Sequence, residues 1–189
     1  MRPSVVLLVA RELGLTLLKD TINYDEFEIK TVVTHYFEND GVTPRPLLPE
    51  FVSLCDKNSI PLVIVGKNQS NLRILKKLEF DFLIANCYKY LIPEEYLSLA
   101  RIETLNMHRS LLPKYKGLKP LARALENGEK KTGTTIHKMA KEVDSGTIID
   151  QYEIDIEEGD TVESLFEKLY PTQYPLMARV LKNLLEQNV

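Results

Sequence analysis

Short apolar runs alternate with helical segments through the first half of the chain, and this pattern leaves few folds open to it. Residues 4–10, 28–35, 62–65 and 81–85 read as aliphatic or β-branched strands. Between them, helical spacing runs over about 12–21, 48–57 and 71–78, and a loop with Pro44, Pro46 and Pro49 precedes the second of these helices. Strand, crossover and strand of this kind pair in parallel with right-handed connections. The expected class is therefore α/β, a Rossmann-like open, mostly parallel twisted sheet flanked by helices, with ligands held beyond the carboxyl ends of the strands. A length of 189 residues with 44% apolar content suffices for one domain with a real core. No internal repeat, low-complexity tract or linker interrupts it, so 1–189 is expected to be a single domain. The tail, 161–187, reads as amphipathic helix interrupted at Pro171 and Pro175.

The chemistry concentrates in 104–151, which holds two of the three histidines. Asn106 and His108 stand one residue apart at the end of a run with Ile102, Leu105 and Met107, so in extended geometry both side chains project to one face. Ser110-Leu-Leu-Pro113 with Lys114, Tyr115, Lys116 and Gly117 breaks any helix and makes an ordered, pocket-lining turn. A helical stretch over 120–127 follows, closed by Gly128. Residues 134–139 then read as a strand, and Asp144-Ser-Gly146 turns into another strand over 147–156, which leaves Asp144 on a loop between two strands.

Four motifs recur across this window: Asn-x-His-x-Ser-Leu-Leu-Pro-x-Tyr-x-Gly, Asn-Gly-Glu, Thr-Gly-Thr-Thr-Ile-His and Asp-Ser-Gly-x-Ile-Ile-x-Gln. Together they resemble the 10-formyltetrahydrofolate-dependent formyltransferases, whose members act on glycinamide ribonucleotide, methionyl-tRNA and nucleotide sugars. The resemblance implies a folate-dependent formyltransferase with Asn106, His108 and Asp144 as its catalytic set and no metal. It places the pterin ring against the backbone of Lys89, Tyr90 and Leu91 on one side and of the 140–143 loop, Lys141, Glu142 and Val143, on the other. A flat amide-like edge is well read by backbone groups, so side chains there are free to vary. Formyl transfer to an amine passes through an oxyanion, for which Asn106 and His108 are the candidate donors. The amine must lose a proton, for which Asp144 is the candidate acceptor. A carboxylate beside an imidazole favours the imidazolium, which would raise the His108 pKa unless burial opposes it.

Blander readings stand beside these. His35 reads as structural, and Cys87 and Tyr88 as pocket wall. Ser110 is no nucleophile in a reaction without a covalent intermediate, and is counted with Lys114, Lys116 and His137 as substrate-binding; each of the last three reads equally well as solvated or packed. After the first strand the family members acting on glycinamide ribonucleotide carry a Gly- and Asn-rich phosphate loop, whereas this chain has Ala10-Arg-Glu-Leu-Gly14, with Glu12 where a phosphate would sit. Only 45 residues follow Asp144, against a separate RNA-contacting domain in the tRNA enzymes. The expected acceptor is thus a small-molecule primary amine, such as an amino sugar on a nucleotide, with glycinamide ribonucleotide or water (a hydrolase relative) as alternatives. A net charge of −3 argues against a broad nucleic-acid face. Cys55 and Cys87 form neither a disulfide framework nor a metal spacing, and no signal or membrane segment is legible, so a cytoplasmic protein is expected, with a homodimer allowed.

Overall fold

The computed structural model describes residues 2–35 and 47–188, so the loop expected around Pro44 and Pro46 lies outside the described residues. The chain divides into two compact units, Met1–Thr104 and Leu105–Val189. The first contains β1 (Ser4–Val9), α1 (Arg11–Tyr24), β2 (Glu28–His35), α2 (Leu48–Lys57), β3 (Leu62–Val65) and β4 (Phe82–Asn86). Its strands lie in the order β3-β2-β1-β4 and every pair is parallel. All six residues of β1 are buried, which accounts for the uninterrupted Val-Val-Leu-Leu-Val run of a strand covered on both faces. The helix α1 packs on β1 and α2 on β2. The fit of α1 is close, since a Cβ on Gly14 would stand 3.0 Å from that of Val9. Pro49 sits in the first turn of α2, where its missing N–H would be unsatisfied in any residue.

The helix expected over 71–78 is tighter than an α-helix. Ser70–Lys77 is a 3-10 segment that buries only Leu72 and Leu75, and that three-residue spacing suits the 3-10 period better than 3.6. The segment after Pro93 is a single 3-10 turn, Glu94–Tyr96, with Tyr96 buried.

The strand β5 (Glu103–His108) runs into the second unit, which continues with α3 (Pro120–Glu126), β6 (Lys131–Lys138), β7 (Ile148–Asp155), α4 (Val162–Leu169) and α5 (Gln173–Glu186). Here the pairing reverses, β5 with β6 and β6 with β7 both being antiparallel. The helix α5 covers β6 and β7, and Gln173 Nε2 donates to Thr134 Oγ1 at 2.9 Å across that contact. Pro171 interrupts the tail as expected, in the 3-10 turn Tyr170–Thr172. Pro175 does not; it lies in the first turn of α5, where a helix tolerates proline. The fold class is the expected Rossmann-like α/β arrangement, with the antiparallel pairs confined to the region that carries the candidate site. Among the described residues no helix is long and apolar enough to cross a membrane.

Candidate active site

The antiparallel register of β5 on β6 sets Asn106 opposite His137 and His108 opposite Thr135. Side chains two residues apart share a face, so these four project together. Asp144 reaches them from the loop between β6 and β7, where its backbone is left-handed at φ 50°, a conformation that Asp tolerates better than most residues. Gly146 permits the loop to lie on β6, because a Cβ there would overlap the Lys138 carbonyl.

The Asp144 carboxylate is the hub. Its Oδ1 accepts from Asn106 Nδ2 at 3.2 Å and lies 3.4 Å from His137 Nε2. Its Oδ2 accepts from the Gly117 N–H at 2.8 Å and lies 3.2 Å from His108 Nδ1. The Asp144 side chain is only 8% exposed. Burial alone would push its carboxyl up, but the His137 ring, the His108 ring and the Gly117 N–H outweigh it and hold Asp144 below the usual carboxylate range.

Acceptors face both nitrogens of His108: Nε2 lies 2.9 Å from the Tyr115 carbonyl and Nδ1 3.2 Å from the Asp144 carboxylate, so the ring is held in orientation from both ends. Burial, the largest influence on His108, pushes its imidazolium down; the Asp144 carboxylate and the Tyr115 carbonyl pull the other way, and Arg109 and His137 add to the downward push. The expected effect of the carboxylate is present, but the net direction is below the ordinary histidine value because desolvation of the charged ring is larger. His137 Nδ1 lies 2.8 Å from the Lys138 carbonyl, which only accepts, and so carries a proton. Its Nε2 stands between Asn106 Nδ2 at 3.1 Å and Asp144 Oδ1 at 3.4 Å, and the Asn106 amide nitrogen contacts both of these residues.

Ser110 is fully buried and its hydroxyl donates to the Lys114 carbonyl at 2.7 Å, so it holds the turn. Lys114 pairs with Glu129 at 2.8 Å, and the Tyr115 hydroxyl donates to the same carboxylate. Lys116 is exposed, and its carbonyl accepts from Arg123 Nη1 at 2.7 Å. Behind the turn, Leu111, Lys114, Tyr115, Glu129, Lys130 and Thr132 help line an open cavity of about 590 Å³. Lys141, Glu142 and Val143 are exposed immediately before Asp144, with Val143 51% exposed. In the first unit Lys89 is exposed, Tyr90 is half-buried and lies edge-on to His35 and Tyr88, and Leu91 is 72% exposed. The Leu91 carbonyl accepts from Gln69 Nε2 at 2.8 Å, and Gln69 accepts from the Tyr88 hydroxyl.

Thr135 and Gln151 went unassigned in the sequence, although both stand inside its motifs. They continue the His108 row, Thr135 pairing with Gln151 across β6 and β7. Strand register is the signal that finds them. Among the described residues no group of three or more His, Cys, Asp or Glu side chains is disposed to hold a metal ion.

The formyl transferase family model matches residues 26–181. The bifunctional polymyxin resistance protein ArnA of Wigglesworthia glossinidia brevipalpis is 38% identical over 164 residues, covering 83% of this chain and 25% of that protein. The methionyl-tRNA formyltransferase of Mycoplasma capricolum is 35% identical over 178 residues, covering 94% of this chain and 56% of that one. The crystal structure of a phosphoribosylglycinamide formyltransferase from Anaplasma phagocytophilum aligns with a TM-score of 0.77 at 24% identity, over 96% of this chain and 86% of that one, a likeness of fold. The chain spans a quarter to about half of these curated relatives.

Proposed function

The chain belongs to the formyl transferase family, and from that membership we propose that it transfers the formyl group of 10-formyltetrahydrofolate to a primary amine of a small-molecule acceptor, such as a nucleotide-linked amino sugar. In this reading residues 1–189 act as one cytoplasmic catalytic domain. The observation that carries it is the buried Asp144 carboxylate, on which Asn106, His108, His137 and the Gly117 N–H converge. Ionised Asp144 takes the proton that the amine nitrogen loses as it bonds to the formyl carbon, directly or through one water, and delivers it to N10 as the bond from carbon to N10 breaks. Asn106 and His108 steady the negative charge that gathers on the formyl oxygen. Because the Asn106 amide and the His108 ring are both engaged inside the cluster, each donates by exchanging one of those contacts for the oxyanion.

For the folate we propose Lys89, Tyr90 and Leu91, with Lys141, Glu142 and Val143. The exposed aliphatic side chains at Leu91 and Val143 support them, as surface on which a flat ring can rest. For the acceptor, Lys114 and Lys116 on the turn offer cations, His137 lies in the cluster, and the Ser110 hydroxyl shapes the turn. A methionyl-tRNA acceptor is the second reading, favoured by 35% identity to a methionyl-tRNA formyltransferase across 94% of this chain. Tetrahydrofolate release from 10-formyltetrahydrofolate, measured with a panel of amines, tests both. Release that depends on an amino-sugar nucleotide supports the first reading, and release only with charged initiator tRNA supports the second. Formate without any acceptor makes the chain a hydrolase.

A further inference from the structure

One row of side chains crosses three strands of the second unit, His108 on β5, Thr135 on β6 and Gln151 on β7, each paired with the next in register. The Thr135 hydroxyl sits in the middle with its hydrogen-bonding capacity filled. It donates to the Ser110 carbonyl at 2.6 Å and accepts from the Leu112 N–H at 3.0 Å and from Gln151 Nε2 at 2.8 Å. The second N–H of the Gln151 amide goes to the Leu112 carbonyl at 2.9 Å. Thr135 is fully buried, and Gln151 half-buried.

These bonds hold one stretch of backbone at three points, Ser110 O, Leu112 N and Leu112 O, with the Ser110 hydroxyl closing the turn onto Lys114 O. The same stretch then supplies the two backbone groups that orient the reactive pair. The Tyr115 carbonyl holds His108 Nε2, and the Gly117 N–H holds Asp144 Oδ2. Neither Thr135 nor Gln151 makes a hydrogen bond to a reactive side chain among those described. Their effect passes through the turn.

We propose that Thr135 and Gln151 are positioning residues for formyl transfer: by clamping the turn 110–117 they fix how the His108 ring and the Asp144 carboxylate are oriented. This rests on the proposed catalytic role of His108 and Asp144. A buried threonine with valine's shape could serve packing alone, but packing does not need a hydroxyl that meets three polar partners. Small displacements matter here, because catalytic groups held about 1 Å away from productive geometry lose on the order of 100-fold in rate.

The experiment compares Thr135→Val, which keeps shape and removes the hydroxyl, with Thr135→Ser, which keeps the hydroxyl. Ring ¹⁵N shifts of His108 are measured beside kcat and KM. The expected result is the same pair of His108 ring ¹⁵N shifts in the wild type and in Thr135→Ser, and displaced ring shifts in Thr135→Val, as the contacts to the Tyr115 carbonyl and the Asp144 carboxylate change. The valine variant should lose about 10- to 100-fold in kcat, with the folate KM changed less than about threefold and the serine variant within about threefold in kcat. If Thr135→Val does not fold, Gln151→Met, which removes the donors to the Leu112 carbonyl and to the Thr135 hydroxyl, should show the same displacement. Unchanged His108 ring shifts in the folded valine variant, or in Gln151→Met where the valine variant does not fold, overturn the proposal. So does a serine variant as impaired as the valine one, or an effect on KM alone. Absence of tetrahydrofolate release from the wild type with every amine would sink the proposed reaction while the ring spectra still decide the clamp.

Discussion

Asp144 illustrates how burial and partners compete at one residue. A carboxylate withdrawn from water is pushed toward its neutral form, yet four polar groups within 3.4 Å keep this one ionised. Removing it should therefore be severe: Asp144→Asn and His108→Ala are each expected to lower kcat by two or more orders of magnitude with the fold intact. Circular dichroism and steady-state rates check this, and activity within about threefold of wild type in either variant would reject the assignment. The same residues predict a dependence of stability on pH. His108 has a folded-state pKa below its unfolded value, so the folded protein binds its proton less readily and loses stability as pH falls through about 6.5 toward the folded value. Asp144, also lowered, contributes stability above its unfolded value that is lost as pH falls through its folded one. Urea midpoints at about pH 7.5 and 5.5 should drop more in the wild type than in His108→Gln, since the variant lacks the first of these titrations. Equal drops would show that His108 is not the group involved.

At the scale of elements, the loop between β6 and β7 delivers Asp144 only because its path hugs β6. The Lys138 N–H donates to the Thr147 carbonyl at 2.9 Å, and Gly146 leaves room for the Lys138 carbonyl. A methyl group at Gly146 would meet backbone, which cannot swing aside as a side chain can. Gly146→Ala is thus expected to cost about 1–3 kcal/mol of stability and to reduce kcat by moving Asp144, measured by urea denaturation beside activity. Gly133 on β6 faces the Tyr152 carbonyl in the same way, so Gly133→Ala should be similarly destabilising. A pair of alanine variants with wild-type midpoints would mean that the strands have slack the structure does not show. The cap of α4 makes a milder comparison, because Thr161 and Ser164 exchange side-chain to backbone bonds at a surface helix start. Thr161→Ala should cost about 1 kcal/mol without touching kcat.

For the molecule as a whole, the question is which acceptor the site admits. Glu12 lies in the first turn of α1, directly after β1, and Ala10, which precedes the helix, offers no side-chain cap. A phosphate held at a helix N-terminus needs close backbone approach, and Arg11 and Glu12 supply bulk and a negative charge instead. Glycinamide ribonucleotide should accordingly be a poor substrate, with kcat/KM below about 10⁴ M⁻¹s⁻¹, the low end for an enzyme on its own substrate. A value above that would show that the phosphate is held elsewhere. A folate analogue should raise the unfolding midpoint, by about 2.7 kcal/mol of stability at a hundredfold excess over Kd. No shift with saturating analogue would remove the folate site.

The class of fold and the shared face of Asn106 and His108 were legible in the residues. Buried parallel strands need continuous apolar runs, and Val5 to Val9 supplies one; Asn106 and His108 share a face because strand periodicity is two. Helix type at 70–77 was not legible, since the choice between 3-10 and α turns on which leucines find a surface to bury against. Nor was the direction of the His108 shift, because a sequence records that a carboxylate is present but not how much water the fold removes. The ties from Thr135 and Gln151 to the turn were hidden for a related reason. Cross-strand neighbours are set by register, and register emerges when three strands and a loop satisfy their hydrogen bonds together. Local composition thus decides what each segment can become, while desolvation and long-range pairing, which exist only once distant segments meet, decide what each side chain does.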